Sequence, residues 1–329
     1  MKYHRAAIVA AVLAVSSSGQ AIAEDVPIFM PVDTTYSIIA VDPETGQLGM
    51  GVQSKALSVG NRTITGRGGL AMVAHQSSSN PMYGAVIIDA LQRGMTPEDA
   101  LAFALRADES PNSRQVAVID IQGRSAAWTS PTISDWAGHR CYPTFCVQGN
   151  TLTGPEVIVA MAEAFEAAEG PLAERLLAAL DAGQEAGGDR RGMQGAALYV
   201  VLPLVRAGFD DTLVDIRVDD HAEPLVELRR ILYVTRSSGM MGAVNTAIRE
   251  GNLAAALEQA TTARDMAPTF DLPYLAIAQI QMMQGETDAA LDTLEAVIAL
   301  NVALKAQLLR NAAFEPLYQN ARFIALTTP

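Results

Sequence analysis

Thr34-Thr35-Tyr36-Ser37-Ile38-Ile39-Ala40-Val41-Asp42-Pro43-Glu44-Thr45-Gly46-Gln47-Leu48-Gly49-Met50-Gly51-Val52-Gln53-Ser54-Lys55 decides how the rest of this 329-residue chain is read. Two largely apolar runs flank the turn formers Asp42-Pro43-Glu44-Thr45-Gly46. The stretch therefore predicts a β-hairpin that leaves from a threonine and returns to a lysine. A threonine at a chain start can use its own α-amine as general base. That amine has an ordinary pKa of roughly 7.7–8.0 and is partly neutral near neutrality. The plainer reading is an edge hairpin whose threonine is only a good strand former.

Upstream of the hairpin, residues 1–23 read as a targeting segment. Lys2, His4 and Arg5 make a basic start, 6–15 is apolar, and Ala21-Ile22-Ala23 is a small-x-small cleavage site. Export to a bacterial periplasm is expected, with Glu24 first in the mature chain and 24–34 as a short extension. No cysteine follows the cleavage site, which argues against a lipid anchor. Losing Lys2 and Arg5 moves the formal charge from −13 to −15. An acidic chain with three lysines in all is poorly suited to nucleic acid, which draws on clustered Lys and Arg. No window after residue 23 is long and uncharged enough to span a bilayer.

Downstream, strands are expected over 69–76, 115–120, 124–129, 145–148 and 196–202. Helices are expected between them, one opened by Thr96-Pro97-Glu98-Asp99 and a pair over 155–183 broken at Gly170-Pro171. Grouped strands followed by helices predict an α+β layered domain over 35–236. Beyond it, 237–329 is alanine-rich and repeats every 34 residues: Gly251 with Gly285, Ala256 with Ala290, Leu257 with Leu291. This resembles tetratricopeptide repeats. So short an array is either a helical cap or a surface for a protein partner. Cys141 and Cys146 form a small loop-closing disulfide or pack as two small buried side chains.

The stretch from Thr35 to about Arg230 resembles a bacterial family, domain of unknown function 1028 (DUF1028), grouped with the N-terminal-nucleophile (Ntn) hydrolases. The resemblance is carried by the opening hairpin, Asn80-Pro81-Met82-Tyr83-Gly84, Trp136-Ala137-Gly138-His139 and Val147-Gln148-Gly149-Asn150. It continues through Gly187-Gly188-Asp189-Arg190-Arg191-Gly192 and Val214-Asp215-Ile216-Arg217-Val218-Asp219-Asp220-His221. It implies a four-layer αββα sandwich with Thr35 as nucleophile toward an amide carbonyl. Because 24–34 precedes Thr35, a second cleavage after Thr34 is needed to free the amine.

Around Thr35, the expected assistants are Lys55, as a nearby ammonium, and Asn150, as an amide donor to an oxyanion. Asn150 also reads as a turn residue, and Lys55 as a surface lysine ending a strand. Ser54, His75, Gln76, Asn80, Asp189 and Arg190 are the expected substrate contacts. Of Gln53 and Ser54, only one can share Lys55's side of the strand. Arg190 and Arg191 suit a carboxylate clamp or an internal pair with Asp189. His139 is expected to be a core hydrogen-bonding histidine, and Asp220 or a neighbour to cap the helix that follows Pro224. Neither cofactor nor metal is required by this chemistry. The expected function is an exported Ntn-type amidohydrolase for a small or peptide-like amide. The alternative is a non-catalytic module that docks a periplasmic partner.

Overall fold

The computed structural model describes residues 35–133, 135–204 and 211–328. The expected leader and the 24–34 extension lie outside the described residues. The chain runs β1 (Thr35–Val41), β2 (Leu48–Ser54), α1 (Val59–Thr63), β3 (Ile64–Arg67), β4 (Ala71–Ser77), α2 (Met82–Gln92) and α3 (Pro97–Ala107). It continues through β5 (Arg114–Asp120), β6 (Ser125–Thr129), β7 (Trp136–Cys141), β8 (Phe145–Leu152), α4 (Glu156–Ala167) and α5 (Leu172–Glu185). Then come β9 (Gly195–Val201), β10 (Thr212–Val218), α6 (Pro224–Arg249), α7 (Leu253–Met266), α8 (Asp271–Gln284), α9 (Thr287–Leu300), α10 (Leu304–Leu308) and α11 (Ala321–Thr327).

The opening hairpin forms as read, with Thr35 opposite Ser54 and Val41 opposite Leu48. β1 also pairs antiparallel with β8, so it is central in a six-stranded sheet of order β10-β9-β2-β1-β8-β7. A second antiparallel sheet has the order β3-β4-β5-β6. Period-two alternation gives every central strand two faces. Tyr36, Ile38 and Ala40 of β1 pack under α4 and α5, beside Phe165, Leu176 and Leu180. Ile39 and Val41 face the other way and meet Met72, Ala74, Ala117 and Ile119 of the second sheet. On that sheet's far side, Val73, Val116 and Val118 pack against Tyr83, Ile87, Leu101 and Ala104 of α2 and α3. The order is thus helices, sheet, sheet, helices.

Local chemistry explains the element ends. Thr96 caps α3, its hydroxyl accepting from the Asp99 amide at 3.1 Å, with Pro97 in the first turn; such a cap contributes about 1 kcal/mol. Gly49 lets α5 approach β2, because a Cβ there would lie 2.7 Å from Leu176 Cδ1. Three strands escape the sequence reading: β3 is only four residues long, and β7 and β10 are only partly buried. Cys141 and Cys146, opposite each other on β7 and β8, are joined by a disulfide.

The C-terminal part is helical. The boundary expected at 236/237 falls inside α6, which runs unbroken from Pro224 to Arg249 and buries Leu225, Leu228 and Leu232 against the first sheet's helix-covered face. Gly251 and Gly285, the repeat-matched glycines, both sit at left-handed φ just after α6 and α8. Asp220 does not cap α6. It accepts from Gln194 Nε2 at 3.1 Å, and the ring Nδ1 of His221 instead accepts the Glu223 amide at 3.0 Å. No helix among the described residues is long and apolar enough to cross a membrane.

Candidate active site

The layer between the sheets is apolar at one end and polar at the other. Alternation along β1 puts Thr35 and Ser37 on the same face as Ile39 and Val41. The same parity places Ser54 after Val52 on β2, Gln76 after Ala74 on β4, and Gln115 before Ala117 on β5. On β8, Gln148 and Asn150 follow Cys146. Thr35, Ser37, Ser54, Gln76, Gln115, Gln148 and Asn150 are each no more than 1% exposed. They are hydroxyls and carboxamides, and not one carries a charge. Burying that many polar groups is tolerable only where they bond to each other.

They do so around Thr35. Its hydroxyl donates to Ser54 Oγ at 3.2 Å. Its carbonyl accepts from Gln76 Nε2 at 3.0 Å and Asn150 Nδ2 at 3.4 Å. The same two amide nitrogens donate to Gln115 Oε1, at 2.7 and 2.9 Å. Gln115 Nε2 then donates to Thr129 Oγ1 at 2.9 Å and to the carbonyls of Gly138 and Gly149 at 3.1 and 2.8 Å. Ser37 donates to Gln76 Oε1 at 2.7 Å. Gln115 is therefore the hub through which both sheets hold the start of β1.

Two backbone outliers frame this grip. Ser77, directly after Gln76, has φ 69°, and Thr151, directly after Asn150, has φ 51°. A left-handed conformation is costly for serine and more so for a β-branched residue. Both strands therefore carry a left-handed residue immediately beyond the one that holds the Thr35 carbonyl.

Lys55 lies one residue past Ser54 and so falls on the opposite parity. It is exposed, and its ammonium donates to the Met193 carbonyl at 3.1 Å. Among the described residues no hydrogen bond joins it to Thr35. The Lys55 amide instead donates to the buried Asp189 carboxylate at 2.9 Å. Asp189 also accepts the Arg191 amide at 2.9 Å and pairs with its guanidinium at 3.2 Å. Arg190 pairs with Asp135. The arginines are thus engaged internally, and Asp189 pins the loop that borders the end of β2. Asn150, expected to serve an oxyanion, already uses its amide hydrogens on Gln115 and Thr35.

His75 and Asn80 belong elsewhere. His75 faces away from Gln76, beneath the helices of the second sheet. Its Nε2 is 3.0 Å from Thr65 Oγ1, and its Nδ1 is 3.1 Å from Ser79 Oγ. The single Ser79 O–H is shared between the carbonyls of Arg62 and His75, so toward the ring it accepts. His75 is accordingly neutral with its proton on Nδ1, and Thr65 donates to Nε2. Burial lowers its pKa from the ordinary 6.5 to about 4. The unfolded chain takes up that proton first as pH falls. Stability is therefore full above about pH 6.5 and declines down to about pH 4, by about 3 kcal/mol. Urea titrations across this range should show the slope, and His75→Gln should remove it; an unchanged slope contradicts the assignment.

Gly84 of α2 sits against the same cluster, since a Cβ there would lie 2.0 Å from Thr65 Oγ1. Gly84→Ala is expected to cost about 1–3 kcal/mol by overpacking, read by denaturant melting; a neutral substitution would mean the helix can retreat. Asn80 accepts the Met82 amide at 3.1 Å at the start of α2 and lines a surface pocket with Tyr83 and Asp108. His139, expected in the core, is exposed on β7, where it bonds Thr129 Oγ1 at 2.8 Å.

Of the expected site residues, Thr35, Ser54, Gln76 and Asn150 come together. Gln115, Ser37 and Gln148 were missed, and a polar residue in phase with a strand's core positions is the signal that could have found them. Set beside known proteins, the chain is matched over residues 35–228 by the model for a family of unknown function, DUF1028. Among solved structures it is similar to the crystal structure of a DUF1028 protein from Silicibacter pomeroyi. Identity is 32% and the TM-score 0.56, over 60% of this chain and 84% of that one. A second similarity is to Anbu (ancestral beta-subunit) from Yersinia bercovieri, at 14% identity and a TM-score of 0.29, over 60% and 92%. No curated protein matches.

Proposed function

Because the chain belongs to DUF1028, a family of unknown function, its activity has to be argued from its own residues, and we propose an exported amide hydrolase of the Ntn type with Thr35 as nucleophile. The observation that carries the reading is the Thr35 hydroxyl held 3.2 Å from Ser54 Oγ, at the polar end of the inter-sheet layer. The Thr35 carbonyl, gripped by Gln76 and Asn150, supports it. A residue fixed on both its main chain and its hydroxyl is oriented before reaction begins.

In this scheme the Thr34–Thr35 peptide bond is first hydrolysed, which frees the Thr35 α-amine. The amine takes the hydroxyl proton as Oγ1 bonds to the substrate's carbonyl carbon. The C–N bond breaks as the leaving nitrogen takes that proton from the α-ammonium, leaving an ester on Thr35. Water then hydrolyses the ester, releasing the acid and restoring the hydroxyl. Gln76, Asn150 and Gln115 are positioning residues, because they act through the Thr35 carbonyl. Lys55, engaged with Met193, receives no proton-transfer step. The basic, apolar, small-residue start of the chain supports export, and the matched 34-residue repeat supports a tetratricopeptide-like tail.

A second reading, a non-catalytic docking module, is favoured by the engagement of Lys55 and of the Asn150 amide hydrogens away from any reacting atom. The intact mass of the exported protein separates the two. A chain beginning at Thr35 is the expected result, and one beginning at Glu24 supports the docking module.

A further inference from the structure

We propose that Gln148 Oε1 and Asn150 Oδ1 form a receptor for the N–H groups of an uncharged amide. The inference rests on Thr35 as the reacting residue and names the class of compound brought to it. Both oxygens are buried without a hydrogen-bond partner. The residues that carry them are 1% and 0% exposed. Their amide nitrogens are already committed: Gln148 Nε2 to Ser37 Oγ at 3.4 Å, Asn150 Nδ2 to Gln115 and to the Thr35 carbonyl. Asn150 therefore has only an acceptor left to offer, and Gln148 an acceptor and one N–H. A buried acceptor left unpaired is costly, so a donor is called for.

The two residues are two apart on β8 and share a face, Asn150 opposite Thr35 and Gln148 opposite Ser37. Their side chains thus face the layer that holds the Thr35 hydroxyl. The lining decides which donor fits. A carboxylate brings no N–H group. An ammonium would lose its hydration among side chains that are all neutral, a cost that neutral acceptors repay poorly. A primary carboxamide brings two N–H donors and no charge, and its carbonyl carbon enters the same layer as Thr35 Oγ1.

The test is thermal melting of the purified, exported protein with acetamide, N,N-dimethylacetamide or acetate. Acetamide at ten times its dissociation constant should raise the melting temperature by about 3 °C. The dimethyl compound, which lacks N–H, and acetate should leave it unchanged, and Gln148→Met should abolish the acetamide shift. If Gln148→Met does not fold, the acetamide and dimethylacetamide pair on the unaltered protein decides by itself. A protein indifferent to all three leaves those oxygens to buried water and overturns the proposal, as does an equal response to the dimethyl compound. Intact mass on the same preparation keeps the two ideas apart. Selective acetamide binding by a chain that starts upstream of Thr35 supports the receptor and removes the nucleophile. A chain that starts at Thr35 without a selective response removes the receptor alone.

Discussion

Thr35→Ala is expected to lower amide hydrolysis by at least about 10³-fold, the scale on which removal of a covalent nucleophile acts. The substitution deletes one hydroxyl and one hydrogen bond, to Ser54. The folding cost should accordingly stay near 1 kcal/mol, because the bonds made by the Thr35 carbonyl belong to the main chain. A large kinetic loss with a small stability loss is the signature of a reacting group. Thr35→Ser, which keeps an oxygen nucleophile, should retain measurable activity. Rates would be followed on a panel of primary and N-substituted amides, with urea melts in parallel. If Thr35→Ala hydrolyses as fast as the unaltered protein, Thr35 is not the nucleophile.

The largest stability effect is expected at Gln115. Gln115→Leu is close in size and apolar, but it strips a partner from Gln76 Nε2, Asn150 Nδ2, Thr129 Oγ1 and the carbonyls of Gly138 and Gly149. Each buried group left unpaired costs about 1–3 kcal/mol, and the groups are coupled. A total loss of about 4 kcal/mol or more is therefore expected by urea denaturation. Gln115→Glu should not rescue it, since an ionised carboxylate accepts but cannot donate to the Gly138 and Gly149 carbonyls. A loss below about 1 kcal/mol for Gln115→Leu would show that the hub is dispensable.

Much of this architecture follows from periodicity alone. The turn formers at 42–46 set the opening hairpin, and alternation from Thr35 fixes which side chains look toward the second sheet. The same parity accounts for Lys55: with Thr35 opposite Ser54, the next residue falls on the other face. Gln115 was harder to see. It opens the apolar run Val116-Ala117-Val118-Ile119 and looks like a polar strand end until the second sheet is laid over the first. That approach joins residues far apart in the chain, through bonds such as Gln115 to Gly149 and Gln76 to Thr35, and no local pattern encodes it. His75 misled for a related reason. A histidine beside Gln76 invites a shared substrate contact, yet adjacent strand residues face opposite layers. The grip on β1 was legible one strand at a time, and its hub only once both sheets were in place.

The most direct test of Thr35 as a nucleophile armed by its own amine is to treat the purified protein with a β-lactone, an acylating electrophile for such hydroxyls, and map the adduct by peptide mass. One acyl group per chain is expected, carried on the Thr35 hydroxyl of a peptide that begins at Thr35. An unlabelled protein whose Thr35 nitrogen is still joined to Thr34, or a label on any other residue, would contradict it.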